Sequence, residues 1–157
     1  MHLLTSFTDA DFAGDSNDRK STLGWIFRFN DSPISWASKK QGLVTRSSME
    51  SELITGSFAS VEGVWLIHLS RDFRHNFVPV PLFTDNQPFI SYSQNDLSNT
   101  CMKHIDTHYH YTRNQVTNGN IKLHYISTHK NIADIFTKPL SPCKHVQLLN
   151  ALGVEHL

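Results

Sequence analysis

Apolar and polar positions alternate loosely over residues 3–11 and end in the polar tip Thr8-Asp9-Ala10-Asp11, which predicts a strand running into a carboxylate-rich end. Asp15-Ser16-Asn17-Asp18 reads as a turn. Residues 22–29 are aromatic and β-branched, residues 34–40 alternate again, and Asn30-Asp31-Ser32-Pro33 between them reads as a tight turn. These three runs predict an antiparallel meander. Ser47 or Ser48 then caps a helix running to about Phe73, with Glu50 and Glu52 in its first turns, where the helix dipole favours acids. Pro79 and Pro81 precede a short strand, Leu82-Phe83-Thr84, and Asp85-Asn86 closes that strand and caps a helix over 86–94. A further helix is predicted over 103–117, stopped by Asn118-Gly119. Residues 120–127 read as a fifth strand, a helical stretch starts near Asn131, and a short amphipathic helix covers 143–152 after Pro139 and Pro142. The order is βββαβαβα with one extra helix before the last strand. It predicts an α/β (α+β mixed) fold: a mixed sheet with helices packed on it and right-handed crossovers.

Composition adds bounds. At 157 residues the chain fits a single domain, with 39% hydrophobic and 18% charged residues, an ordinary globular balance. It shows neither internal repeats nor low-complexity tracts, and no apolar run is expected to span a membrane. The start, Met1-His2-Leu3-Leu4-Thr5, is too short and polar for a signal peptide. Two cysteines, Cys101 and Cys143, suit free thiols in a reducing compartment. Fourteen basic residues balance fourteen acidic ones, so net charge neither supports nor excludes a nucleic acid partner; a carboxylate cluster would hide a basic patch in the sum.

The acids are informative by position. Asp9 follows the first strand, Asp85 the fourth, Asp134 comes soon after the fifth, and Glu50 and Glu52 open the long helix. In a mixed sheet with these connections the ends of strands one and four can be neighbours, so their carboxylates would converge at one edge. Two divalent cations about 3.5–4 Å apart need such hard oxygen ligands, one to activate water and one to stabilise the departing oxygen. Taken singly, each acid has an ordinary reading as a turn former or helix cap.

Several stretches together carry a resemblance. They are Thr8-Asp9-Ala10-Asp11-Phe12-Ala13-Gly14-Asp15, Asp18-Arg19-Lys20-Ser21-Thr22-Leu23-Gly24, Ile34-Ser35-Trp36-Ala37-Ser38-Lys39-Lys40-Gln41, Glu50-Ser51-Glu52-Leu53 and Thr84-Asp85-Asn86-Gln87. Lys103-His104-Ile105-Asp106 with Tyr109-His110, and Ala133-Asp134-Ile135-Phe136-Thr137-Lys138-Pro139-Leu140, complete the set. In this order, over roughly residues 5–150, the chain resembles the ribonuclease H domain of copia-type retrotransposon Pol polyproteins. The resemblance implies a ribonuclease H-like fold, a five-stranded mixed sheet with helices on both faces. It also implies an Asp-Glu-Asp-Asp site holding two Mg²⁺ ions, with Mn²⁺ as a substitute. Carried across, Asp9 would bridge both ions, Asp85 would bind the ion that activates water, and Asp134 the other. Glu52 would be the glutamate, because Glu52-Leu53-Ile54 matches the family's helix opening. Glu50 is the alternative; it lies about 200° around the helix, so only one of the two can face the cluster.

The implied activity is endonucleolytic hydrolysis of the RNA strand of an RNA–DNA hybrid, without a covalent enzyme intermediate. The hybrid would be read by shape and 2′-hydroxyl contacts. The implied setting is one domain of a longer polyprotein carrying a reverse transcriptase, within a cytoplasmic virus-like particle or the nucleus, with no membrane. Candidate substrate contacts are Asn86, Lys39, Lys40 and His129. Asn86 also suits a helix cap, the two lysines also suit a solvated strand end, and His129, five residues before Asp134, resembles a loop histidine of cellular relatives but on a shorter connection. The cluster Lys103, His104, Asp106, His108, His110 would spread over more than one helix face, which argues for a polar network over zinc. Trp25 and Trp36 are expected in the core, and Phe58 and Trp65 on a surface that the polymerase would cover. Two alternatives stand: a truncated, inactive remnant that folds or binds nucleic acid without cutting, and a transposase-type nuclease, whose last acid is usually a helical glutamate where this chain has Asp134. Leu53 and Pro88-Phe89 depart from the family pattern.

Overall fold

In the computed structural model, residues 4–95 and 106–154 are described. The meander comes first, as β1 (Leu4–Asp11), β2 (Thr22–Phe29) and β3 (Ser32–Lys40). The helix α1 (Ser48–Asp72), β4 (Val80–Thr84), α2 (Gln87–Gln94), α3 (Asp106–Thr117), β5 (Ile121–Tyr125) and α4 (Pro142–Ala151) follow. Between β5 and α4 lie two 3-10 turns, Thr128–Lys130 and Ile132–Phe136. The five strands form one mixed sheet in the order β3-β2-β1-β4-β5, antiparallel within the meander and parallel across β1, β4 and β5. This is the ribonuclease H-like α/β architecture expected from the sequence.

Strand alternation explains the two-faced core. Leu4 on β1 and Leu23, Trp25 and Phe27 on β2 pack beneath α1, α2 and α3, with Leu53, Ile54, Leu66, Phe89 and Tyr109. Phe7 on β1 and Ile26 on β2 face the other way, onto Ile132, Ala133, Leu148 and Leu152. Helices therefore cover both faces.

Local chemistry sets the boundaries. Ser47 caps α1 by accepting from the backbone N–H of Glu50, and Asn86 caps α2 by accepting from that of Phe89. Gly119 adopts the left-handed φ of +72° just beyond α3. β3 begins at Ser32, two residues before the expected start. Asn30 and Asp31 both take positive φ, the two-residue hairpin geometry that lets strand pairing resume at once.

Two expectations need correction. Trp36 is not a core residue: it is 60% exposed. It pairs with Ile26, so it points to the α4 side, but β3 is an edge strand and none of the described residues on that side covers it. Against the expectation that no apolar run spans a membrane, one helix among the described residues is long and apolar enough to cross one. The most apolar 18-residue window of α1 has a mean hydropathy of 1.2, yet 61% of that window is buried within the protein, as suits a core helix.

Candidate active site

The parallel pairing of β1 with β4 positions the first two acids. Ser6 pairs with Leu82 and Phe7 with Phe83, so continuing that register by two residues sets Asp9 beside Asp85. The second turn of α1 supplies the third, Glu52. Oxygen atoms of Asp9, Glu52 and Asp85 all lie within 4.8 Å of one another. That is the scale of opposite ligands on one octahedral Mg²⁺, about 4.2 Å.

Each carboxylate is held by a backbone or hydroxyl donor. The Ala10 N–H donates to Glu52 Oε1 at 3.2 Å, Thr128 Oγ1 donates to Asp85 Oδ2 at 2.7 Å, and Thr137 Oγ1 donates to Asp9 Oδ2. Glu52 Oε2 is enclosed and has no hydrogen-bond partner. A buried carboxylate oxygen left open towards two other carboxylates is what a cation-binding site requires, and an all-oxygen donor set suits a hard divalent ion. Burial, reinforced by Asp9 and Asp85, raises the Glu52 carboxyl well above the usual range. Burial likewise lifts Asp9 to about 6 against the pull of Thr137 and Lys138, with Asp134 and Asp85 adding to the rise. Without a cation both groups resist ionisation.

The two glutamates separate cleanly. Glu50 turns back to accept from the Arg46 backbone N–H at 2.7 Å, as helix-start chemistry, while Glu52 joins the acidic group.

Asp134 is placed differently from the other three. It is fully buried in the turn Ile132–Phe136, and both its oxygens are held by ammonium groups: Oδ1 by Lys138 at 3.0 Å and Oδ2 by Lys144 at 2.5 Å. Lys138 also reaches Asp9 Oδ2 at 3.4 Å, so it bridges the two aspartates. Burial works against its charge, but the charges of Asp9 and Asp134 prevail and its pKa is raised.

Sequence reasoning gave no role to Lys138, Thr137, Thr128, Asn131, Gly24 or Lys144. Asn131 is fully buried; its Nδ2 donates to the Thr8 carbonyl at 3.0 Å, and its Oδ1 accepts from the Ala133 N–H at 3.1 Å. It thereby ties the Asp134 turn to β1. Gly24 lies opposite Asp9 on β2, and a Cβ there would sit 2.7 Å from Thr137 Cγ2 and 2.8 Å from Phe136 Cβ. Its bare backbone lets that turn close over the sheet. Thr137, Lys138 and Gly24 belong to motifs visible in the chain; the span from β5 to Lys144 carried no pattern that singles out Thr128 or Lys144.

The remaining candidates scatter around this centre. Asn86 serves as the α2 cap. Lys39 is exposed and lies 6.0 Å over the Trp25 ring, whereas Lys40 binds Asp15 at 2.5 Å and Asp18 at 2.9 Å. His129 is exposed in the turn next to Thr128. Within the histidine-rich segment, Lys103 and His104 fall outside the described residues. Asp106 pairs with His110 at 3.1 Å, and His108 Nδ1 contacts Ser57 Oγ at 3.0 Å, a dispersed network on two sides of α3. Cys143 is a free, exposed thiol, and Cys101 lies outside the described residues.

No family model matches the chain. It is 38% identical over 155 residues to the retrovirus-related Pol polyprotein from transposon RE1 of Arabidopsis thaliana, an alignment covering 98% of the chain and 11% of that protein. It is 37% identical over 136 residues to that from transposon TNT 1-94 of Nicotiana tabacum, covering 87% and 10%. The chain thus spans about a tenth of the length of the curated relatives it matches. Among solved structures, RNase H1 from Halobacterium salinarum superposes with a TM-score of 0.60 at 14% identity, over 92% of this chain and 98% of that one. LC11-RNase H1 in complex with RNA/DNA hybrid superposes with a TM-score of 0.51 at 13% identity, over 85% and 93%.

Proposed function

Because the chain belongs, as a segment, with the retrovirus-related Pol polyproteins of plant copia-type transposons and has the ribonuclease H fold, we propose that it is a ribonuclease H that hydrolyses the RNA strand of an RNA–DNA hybrid. One observation carries this reading: the convergence of Asp9, Glu52 and Asp85 at the shared end of β1 and β4. The family setting supports it, and a fold neighbour has been solved with an RNA/DNA hybrid bound.

In this reading Asp9, Glu52 and Asp85 bind divalent metal, Mg²⁺ with Mn²⁺ as a substitute, and Asp134 completes the ligand set of a second ion. Bound cations supply the charge that activates water and stabilises the departing oxygen. The chain does the rest. The Ala10 N–H and the Thr128 hydroxyl orient Glu52 and Asp85, and the Thr137 hydroxyl fixes Asp9. Asn131 and Gly24 hold the Asp134 turn against β1 and β2. Exposed His129, next to the Thr128 that holds Asp85, and exposed Lys39 on β3 are contacts for the hybrid, while Asn86 and Lys40 contribute through the structure of α2 and of the β1–β2 turn. The domain works beside a reverse transcriptase in a longer polyprotein.

The test is cleavage of an end-labelled RNA–DNA hybrid with Mg²⁺ or Mn²⁺, comparing wild type with Asp85→Asn. Metal-dependent cutting of the RNA strand that the variant loses supports the reading. A folded wild-type protein that cuts with neither metal, alone or fused to its polymerase, points instead to an inactive remnant.

A further inference from the structure

The cations that already belong to the site are lysines. Four carboxylates meet here, and two ammonium groups stand among them. Lys138 Nζ lies 3.4 Å from Asp9 Oδ2 and 3.0 Å from Asp134 Oδ1, and Lys144 Nζ lies 2.5 Å from Asp134 Oδ2. Both Asp134 oxygens therefore lie against an ammonium group, Oδ2 through a hydrogen bond and Oδ1 through an ion pair alone, and the oxygens that already converge within 4.8 Å are those of Asp9, Glu52 and Asp85. The two lysines balance two of the four formal negative charges, so a single divalent ion completes neutrality. Neither lysine is locked in: 30% of the Lys138 side chain and 28% of that of Lys144 are open to solvent, so each can swing outward without moving the backbone.

We infer that Lys138 is a resident counter-cation occupying the Asp9–Asp134 side of the site, so that divalent ions load in order: one into the Asp9–Glu52–Asp85 group, and a second only when Lys138 is displaced from Asp134. The inference rests on the proposal that the acidic group binds divalent metal. Lys144 is the auxiliary clamp, touching Asp134 but not the shared ligand Asp9. Displacement costs Lys138 two carboxylate partners, and the incoming phosphate of a bound hybrid offers it a replacement anion. The domain alone therefore stays singly loaded at cation concentrations that would fill two open sites, and the second ion arrives with substrate.

The experiment counts Mn²⁺ ions bound to the folded chain without nucleic acid, by calorimetry and by the electron paramagnetic resonance signal of free Mn²⁺. Wild type is expected to show one site and a much weaker second. Lys138→Met should tighten the second by tenfold or more, the scale on which removing an adjacent unit charge acts. Lys122→Met, which removes a charge from exposed β5, should leave both sites unchanged. Two equivalent sites in wild type, or an unchanged second site in Lys138→Met, overturns the inference while leaving the metal reading intact, provided Asp85→Asn still abolishes the first site. Absence of Mn²⁺ binding in every variant overturns both. Should Lys138→Met not fold, the wild type answers alone: with ¹³C-labelled lysine, the Lys138 Cε resonance should stay in place through the first equivalent of Mg²⁺ and move with the second. Movement with the first equivalent contradicts ordered loading.

Discussion

Asp9 bears the largest conflict at the site, being buried among carboxylates and tied to Thr137 and Lys138. With its folded pKa lifted from 3.8 to about 6, the folded state binds a proton more tightly than the unfolded state between about pH 4 and 6, so this group's contribution to stability falls as pH rises through that window. Asp9→Asn removes the conflict. In chelator, the variant should gain stability over wild type by an amount that grows from pH 4 to 6 and then levels off, on the order of 2–3 kcal/mol. Urea denaturation across pH checks this, and a gain independent of pH would show that Asp9 ionises freely. Metal should reverse the preference near neutral pH, where it needs the charged form. The two glutamates give a sharper contrast. Glu52→Gln should lower hybrid cleavage by more than the ~10–100-fold that partners of metal ligands cost, whereas Glu50→Gln should retain it and lose only helix-start stability. Steady-state cleavage assays of the two variants separate them. The choice between them was legible only through the Glu-Leu-Ile resemblance, because the apolar positions of α1 form too broad a stripe to orient it: Val61 and Trp65 prove exposed, and Leu53 buried. Lys138 stood in plain view in the motif Ala133-Asp134-Ile135-Phe136-Thr137-Lys138, but a contact bridging residues 9 and 134 leaves no local pattern to read.

At the scale of elements, the site is a strand end, a helix start and a turn, each with its own support. Ser47→Ala should cost about 1 kcal/mol through loss of the α1 cap, read by thermal unfolding, and shift Glu52 little because the Ala10 N–H still holds it. Gly24→Ala is predicted to be worse despite its small size. The new Cβ meets Thr137 and Phe136, which carry the Asp134 turn, so about 1–3 kcal/mol of overpacking should come with loss of cleavage. If Gly24→Ala cleaves normally, that turn tolerates displacement and Asp134 is not needed in place. Elements with strong periodicity were readable: the meander, α1, the Asn86-capped α2 and β5 all appear with ends close to those expected. The misplacements have physical causes. The start of β3 depended on left-handed Asn30 and Asp31, which composition suggests but does not fix. The helical stretch near Asn131 became a 3-10 turn, because Asn131 spends its side chain on the Thr8 carbonyl and the Ala133 N–H, pinning the segment to β1.

At the scale of the molecule, large apolar side chains remain uncovered: Trp36, Phe58, Trp65 and Phe73 are each at least 44% exposed. Trp36 lines an open cleft of about 260 Å³ with Ile26, Phe136, Leu149 and Leu152. Because it contributes little burial, Trp36→Ser should change folding stability by no more than about 0.5 kcal/mol, read by thermal unfolding. A large loss of stability would mean that the edge strand depends on this side chain. The site itself is stitched from distant parts of the chain. Thr137 reaches back 128 residues to Asp9, and Asn131 reaches back 123 to Thr8. Such closures form late, after β1 and the turn beyond β5 have docked. Asp9 and Asp85 likewise meet only once β1 has paired with β4, so a chain in which these closures are still open has no assembled group of carboxylates with which to capture an ion. Metal cannot act as a template for folding here; it can only act as a latch on the finished structure. Mg²⁺ should slow the unfolding limb of a chevron plot and leave the refolding limb almost untouched, a kinetic signature of a site that exists only once the chain has closed on itself.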